Sequence, residues 1–365
     1  MKHHMQVDMS MSLRQTLRHA YLKALSTSGA LKMAKQKIGT SGATLVLTLH
    51  RVIPDDAIES CRSPRGMVLR ESAFRSLLDY LSEHATCVKP EDNYHQEESN
   101  MRPRVLITFD DGWLDNFTIA APLLAQFGIS ACFFAVTGYA GHSQPFWPER
   151  ALGLTRVLHD STSPISIQDV FAHLVDKEGI PLPPGALQEE VLLNWLKQFR
   201  PETICAAIQN AERHLASSMT ILQPDILERL MTWEEMRALT RAGHSVGSHT
   251  STHALLTHLT SDEVSSELTM SSTKLQRNMM PEHAEQYWIA YPNGFTDKRV
   301  RELTARCGYH YGFTTMPGLW HKESEPLAIP RVNVWDGSVL SPEGNFDESY
   351  LEYALFFRPL LADTL

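Results

Sequence analysis

The sequence has no Cys-x-x-Cys pair, and its five cysteines (Cys61, Cys87, Cys132, Cys205, Cys307) are scattered and odd in number. That excludes a cysteine zinc site and a disulfide framework, and it suits a reducing compartment. No apolar run approaches the roughly 20 residues that span a bilayer. Met1-Lys2-His3-His4-Met5 leads into a polar segment rather than the apolar core of a secretory signal. The expectation is a cytoplasmic protein. Positive charge is also in deficit: 33 Lys and Arg against 42 Asp and Glu leave a formal net charge of −9. That argues against nucleic acid as the principal partner.

Acidic residues are absent between Asp8 and Asp55, where Arg14, Arg18, Lys23, Lys32, Lys35, Lys37 and Arg51 are all basic. Leu13, Leu17, Tyr21 and Leu25 recur every fourth residue there, which predicts an amphipathic helix within a basic N-terminal segment, 1–40. Two readings stand side by side. The helix makes a peripheral contact with an anionic membrane, or it packs on the acidic remainder of the protein.

The chain is 365 residues long, 43% hydrophobic and 21% charged, enough for a sizeable core. Apolar β-type runs at 45–49, 105–109, 131–137, 245–247, 288–291 and 311–314 alternate with helical patterns at 71–84, 119–127, 233–242, 261–279 and 298–306. This rhythm predicts an α/β protein built from βα units. It breaks between 141 and 230, where Pro181, Pro183 and Pro184 precede two helical patterns. Because the alternation resumes afterwards, this stretch reads as a helical insertion in a βα loop. Residues 41–340 then read as one interrupted α/β unit, with 341–365 as a C-terminal tail; 91–100 reads as an exposed polar loop.

The chemistry concentrates in two places. Thr108-Phe109-Asp110-Asp111-Gly112 ends the apolar run Val105-Leu106-Ile107. Adjacent carboxylates at a strand end repel each other and are costly to bury unpaired, so such a pair points to a cation and a proton to be moved. Ser248-His249-Thr250-Ser251-Thr252-His253 places two imidazoles four residues apart. Two histidines and one aspartate make the three protein ligands of an open catalytic site, His₂Asp plus water. The second carboxylate is then free to act as general base. Imidazole and carboxylate donors fit zinc, with cobalt or nickel also suited.

These motifs resemble those of the polysaccharide deacetylase family, carbohydrate esterase family 4, over residues 43–335 apart from the insertion. The resemblance implies a distorted (β/α)₇ barrel with its site at the C-terminal ends of the strands. It implies Asp110 as general base and Asp111, His249 and His253 as metal ligands. Tyr291-Pro292-Asn293-Gly294 matches the family's third motif, whose loop lines the substrate pocket, and the Asn293 backbone N–H would donate to the oxyanion. The arginine of that motif is absent from Trp288–Tyr291, and Asn293 stands where an aromatic residue is customary. The family's closing Leu-x-x-His is also missing, since no histidine follows Arg331.

Leu47-Thr48-Leu49-His50 supplies that motif at the first strand instead. A closed barrel makes first and last strands neighbours, so the arrangement resembles the permuted deacetylases of biofilm poly-N-acetylglucosamine. His50 is then the general acid; otherwise it is a strand-end histidine bonded to a backbone carbonyl. Arg331 either pairs with Asp110 in place of the missing arginine or forms a surface salt bridge. Trp147, Trp113 and Asp115 are further candidates for the cleft, the tryptophans as stacking surfaces for a sugar. His142, His244, His258 and His321 read as structural.

The implied activity is metal-dependent removal of N-acetyl groups from amino sugars of a polysaccharide or lipid-linked glycan. Hydrolysis of small cyclic amides, deformylation of a lipid-linked sugar, and a non-catalytic carbohydrate-binding module are the alternatives.

Overall fold

The computed structural model describes residues 2–89, 101–142, 146–159, 165–215, 229–279 and 288–363. The polar stretch 91–100 and parts of the insertion lie outside them. Ten strands are present among the described residues: β1 Thr44–Leu49, β2 Arg51–Ile53, β3 Val68–Arg70, β4 Thr86–Cys87, β5 Arg104–Phe109, β6 Ala131–Ala135, β7 Ser245–Ser248, β8 Trp288–Ala290, β9 Tyr311–Phe313 and β10 Val332–Asn333. The main sheet is parallel and runs β10-β1-β5-β6-β7-β8-β9, with β4 pairing beside the start of β5. Phe313 bridges to Ile329, and Leu47 pairs with Val332, so the short stretch leading into β10 joins β9 to β1 and curls the sheet into the expected barrel. First and last strands are neighbours.

Period-2 alternation explains what faces inward. Leu45, Leu47 and Leu49 of β1, and Val105, Ile107 and Phe109 of β5, pack outward against helices such as Glu71–His84, whose Phe74, Leu77, Leu78 and Leu81 form one buried face. Val46, Leu106, Cys132, Phe134, Ala290 and Phe313 fill the barrel interior. The inward series of β5 is therefore Leu106, Thr108, Asp110, and that of β1 is Val46, Thr48, His50.

Among the described residues, the insertion contains helices Trp147–His159, Ile167–Glu178, Glu189–Leu196 and Pro201–His214. They bury a core of their own that includes Leu152, Phe171, Trp195 and Ile208. The N-terminal segment forms two helices, Lys2–Thr27 and Ala30–Ser41. Lys23 pairs with Asp347 and Lys35 with Glu352, both at 2.6 Å, while Arg18 donates to the Gly337 carbonyl. Much of the basic stretch is thus docked on the C-terminal segment. Arg51 belongs to a different environment, being 1% exposed inside the barrel wall.

The C-terminal segment corrects the reading of 341–365 as a tail. Helical turns at Glu348–Glu352, Tyr353–Phe357 and Arg358–Asp363 bury Leu351, Leu355 and Phe356 in the same core as β1. No helix among the described residues is long and apolar enough to cross a membrane.

Candidate metal centre and active site

The inward series of three strands end at one place. His50 follows β1, Asp110 follows β5 and His249 follows β7. Just past β5 the chain turns sharply, with Asp111 at φ 74° and Gly112 at φ 83°. The turn swings the Asp111 carboxylate away from Asp110 and toward the β7 loop. There its Oδ1 lies 3.4 Å from His249 Nε2 and 3.5 Å from His253 Nε2. Candidate donor atoms of Asp111, His249 and His253 all fall within 4.8 Å of one another.

Thr250 and His253 also have positive φ, at 65° and 61°, as does Asn293 at 55°. Left-handed backbone at non-glycine residues is strained. Among the described residues, four of the five instances sit in these site loops; Met101 is the fifth.

The donor set fits a divalent cation. His249 Nδ1 lies 2.7 Å from the Ala290 carbonyl, which can only accept, so Nδ1 carries a proton and Nε2 is left to face the carboxylate. Two imidazole nitrogens then converge on one carboxylate oxygen, an arrangement that a shared cation stabilises. Trp113 Nε1 donates to the other oxygen, Asp111 Oδ2, at 3.0 Å and leaves Oδ1 to the histidines.

Burial opposes charge on every member, and neighbours decide the outcome. Burial pushes the Asp111 carboxyl up, but the surrounding histidines more than offset it and hold it well below the usual range. Burial lowers His249, yet Asp110 and Asp111 raise it above its ordinary value. His253 is pushed down to about 4 by burial and by the neighbouring His249.

Asp110 is clamped separately. Arg331, 1% exposed, donates Nη1 to Oδ1 at 2.8 Å and Nη2 to Oδ2 at 2.7 Å. Its remaining donors reach Thr108 Oγ1 and the Thr314 carbonyl. Burial favours the neutral acid, but the guanidinium outweighs it and holds the Asp110 carboxyl below the usual range. His50 senses the same charges. Burial lowers its pKa, with Asp111 and Asp110 pulling the other way, and its Nδ1 has no hydrogen-bond partner. The strand-end carbonyl bond that was the alternative for its ring is therefore missing at Nδ1.

Other candidates move. Trp113 is fully buried, with the Arg51 guanidinium 4.3 Å from its ring, so it orients Asp111 and offers no face to a sugar. Asp115 is fully buried too. It accepts from Arg51 Nε at 2.7 Å and from the Val52 amide at 2.8 Å. Asn116 beside it donates to the His50 carbonyl at 2.8 Å. These residues fix the backbone behind His50 and do not enter the cleft. Tyr291 and Pro292 are buried, and the Tyr291 ring packs with Ile289, Val300 and Leu268 behind β8, so Tyr291 is no pocket wall. Asn293 is half-buried at the head of that loop. Trp147 lines a cavity that has His253 as another wall.

His244 Nδ1 accepts from the Ala131 amide at 3.2 Å, and His321 pairs with Asp363, both consistent with structural roles. Glu267 carried no signal in the sequence. It accepts from the amides of Ser251 and Thr252 at 3.0 and 2.9 Å and from Thr252 Oγ1 at 2.8 Å, holding the loop between the two histidines. Gly138 donates to the Ser251 carbonyl from below, and a Cβ there would stand 2.2 Å from that oxygen.

The family model for polysaccharide deacetylases matches residues 97–162 and 189–312, more than half of the chain. The chain belongs to the polysaccharide deacetylase family. YxkH of Bacillus subtilis (strain 168), a polysaccharide deacetylase by name, is 24% identical over 254 residues; the match covers 70% of this chain and 60% of that one. The deacetylase PplD of Streptococcus pyogenes, solved with acetate, is 17% identical with a TM-score of 0.51, covering 86% of this chain and 98% of that one. IcaB of Ammonifex degensii is 18% identical with the same TM-score, covering 86% and 96%. At that identity the likeness to these two structures is one of fold, the deacetylase barrel.

Proposed function

We propose that this polysaccharide deacetylase family member removes N-acetyl groups from amino sugars of a glycan and depends on a divalent metal, zinc by preference. The observation that carries the reading is the buried Asp111–His249–His253 donor set beside a separate carboxylate, Asp110, that a fully buried arginine keeps ionised. A structural site would use four protein ligands and keep no spare base. A cation held by Asp111, His249 and His253 would supply Lewis acidity toward the amide carbonyl and lower the pKa of water.

Asp110 takes the proton from the attacking water. Arg331 keeps it a carboxylate at neutral pH while leaving it in the barrel mouth. The amide carbon becomes tetrahedral, and the Asn293 N–H donates to its oxyanion. His50 in its protonated form gives its proton to the departing nitrogen and is left neutral, so acetate and the free amine leave, and the proton Asp110 took from water resets the pair. Burial lowers the His50 pKa while Asp111 and Asp110 oppose that shift, so the two carboxylates are what favour the protonated ring this step needs, and its Nδ1 has no hydrogen-bond partner among the described residues.

The test is metal analysis coupled to amine release from N-acetylglucosamine oligomers, with a lipid-linked amino sugar and a cyclic amide as comparison substrates. Oligomer turnover that is lost in Asp110→Asn with metal retained supports the reading. Normal turnover by Asp110→Asn overturns it, and metal binding without deacylation of any amino sugar favours a binding module.

The peripheral membrane contact stands as a further proposal. Leu17, Tyr21 and Met33 are 61%, 50% and 63% exposed on the two N-terminal helices that also carry exposed Arg14, Lys32 and Lys37. Co-sedimentation with anionic but not zwitterionic vesicles is the expected result, and equal recovery from both excludes it.

A further inference from the structure

A cavity of about 270 Å³ lies against one member of the donor set, His253, which forms one of its walls. Apart from Tyr139, which follows β6, its other walls come from two distant parts of the chain. Trp147, Phe199 and Ile204 belong to the inserted helices, and Ala254 and Leu255 follow His253 in its own loop. Phe199, Ile204 and Ala254 are themselves buried, so the walls are packed rather than loose. The insertion therefore does more than decorate the barrel: it completes a mostly apolar chamber at a proposed metal ligand.

Size and chemistry limit the occupant. An acetyl methyl needs about the ~30 Å³ that one water takes in the liquid, so the chamber is several times too large for it. A sugar ring would set most of its hydroxyls against apolar walls, since Tyr139, Glu202, Thr252, His253 and His258 are the polar side chains of the lining, and each hydroxyl beyond their reach would lose its hydrogen bonds to water. A flexible hydrocarbon chain fits both limits. We propose that the cavity receives a hydrocarbon chain carried by the amino-sugar substrate. The inference rests on the deacylation reading above and narrows it to acylated or alkylated amino sugars. Two sources share that chemistry: an N-acyl group longer than acetyl, or an alkyl group at the sugar's reducing end.

The experiment uses the full chain supplied with zinc and two substrate series built on methyl N-acetylglucosaminide. One series lengthens the N-acyl group to octanoyl, and the other lengthens the glycosidic alkyl group to octyl. In one series kcat/KM rises by about fourfold per buried methylene, the equivalent of ~0.8 kcal/mol, until the cavity is full. The series that responds identifies the source. Cys205 also lines the cavity, and Cys205→Trp, which fills it, flattens the dependence. Phe199→Ala enlarges the chamber and moves the plateau to longer chains, which keeps the idea testable if the tryptophan variant does not fold.

Measurable turnover with no chain-length response in either series overturns the cavity's role and leaves the deacylation reading standing. A response that persists unchanged in both variants overturns it as well. Absence of turnover on every substrate, the N-acetyl parent included, overturns both readings.

Discussion

Arg331 and Asp110, 221 positions apart, meet through two parallel hydrogen bonds of 2.8 and 2.7 Å inside the barrel mouth. The fork of a guanidinium matches both oxygens of a carboxylate, and a lysine ammonium cannot reproduce that match. Arg331→Lys is therefore expected to lower kcat/KM by 10-fold or more with the fold intact. Arg331→Ala leaves a buried carboxylate without its cation and should destabilise the protein by about 3–5 kcal/mol. Urea denaturation beside an amine-release assay checks both, and wild-type activity in Arg331→Lys would refute the need for the fork.

The donor set and the base should separate experimentally. His253→Ala is expected to lose bound metal and activity together, whereas Asp110→Asn loses activity alone. Metal that binds only the folded chain stabilises it by about 2.7 kcal/mol at 100 times its Kd. Chelation should accordingly lower the melting temperature of wild type and of Asp110→Asn, and leave that of His253→Ala unmoved.

Glu267 touches neither candidate ligand side chain, yet it holds the loop between them with three hydrogen bonds. Removing such supporting contacts typically costs 10–100-fold in metal affinity. Glu267→Ala should show that loss in a competition titration. Glu267→Gln, which can still accept from both amides, should recover most of it. Equal affinities in all three proteins would assign Glu267 a purely structural role.

His244 gives the fold a pH dependence remote from the site. Burial, and then nearby Lys89, push its pKa down to about 4. The unfolded chain takes up this proton near pH 6.5, while the folded chain refuses it until about pH 4, so acid favours unfolding across that window. The loss approaches about 3 kcal/mol at pH 4. His244→Gln, which can still accept from the Ala131 amide, should remove that share of the slope between pH 7 and 4.5. Parallel slopes for the two proteins would exclude His244 as its source.

The parts of the site that are legible in the sequence share a cause. Asp110, His249 and His50 stand directly after strands, whose alternation fixes the face each takes, and Asp111 and His253 follow them in the motif loops. Arg331 is findable as the one basic residue in an apolar stretch near the last strand. Tyr291 misleads because motif membership says nothing of which way a ring turns, and here it turns into the packing behind β8. Trp113 and Asp115 mislead for a related reason: a buried tryptophan over a buried Arg51–Asp115 pair has the same composition as an open sugar site. Glu267 sits on an ordinary amphipathic helix, and nothing local to it distinguishes a solvated glutamate from one that braces a loop. The C-terminal helices pack through Leu351, Leu355 and Phe356, a stripe too short for periodicity to separate from a tail.

The Ala131 amide and His244, neighbours across β6 and β7, are 113 positions apart. Closing so long a loop is entropically unfavourable, and non-local pairings of this kind slow folding. Within that span the described helices of the insertion bury their apolar faces against one another. A cation shared by Asp111 and His249 would clasp the chain on either side of the same long loop, and so would bind the native chain in preference to the unfolded one.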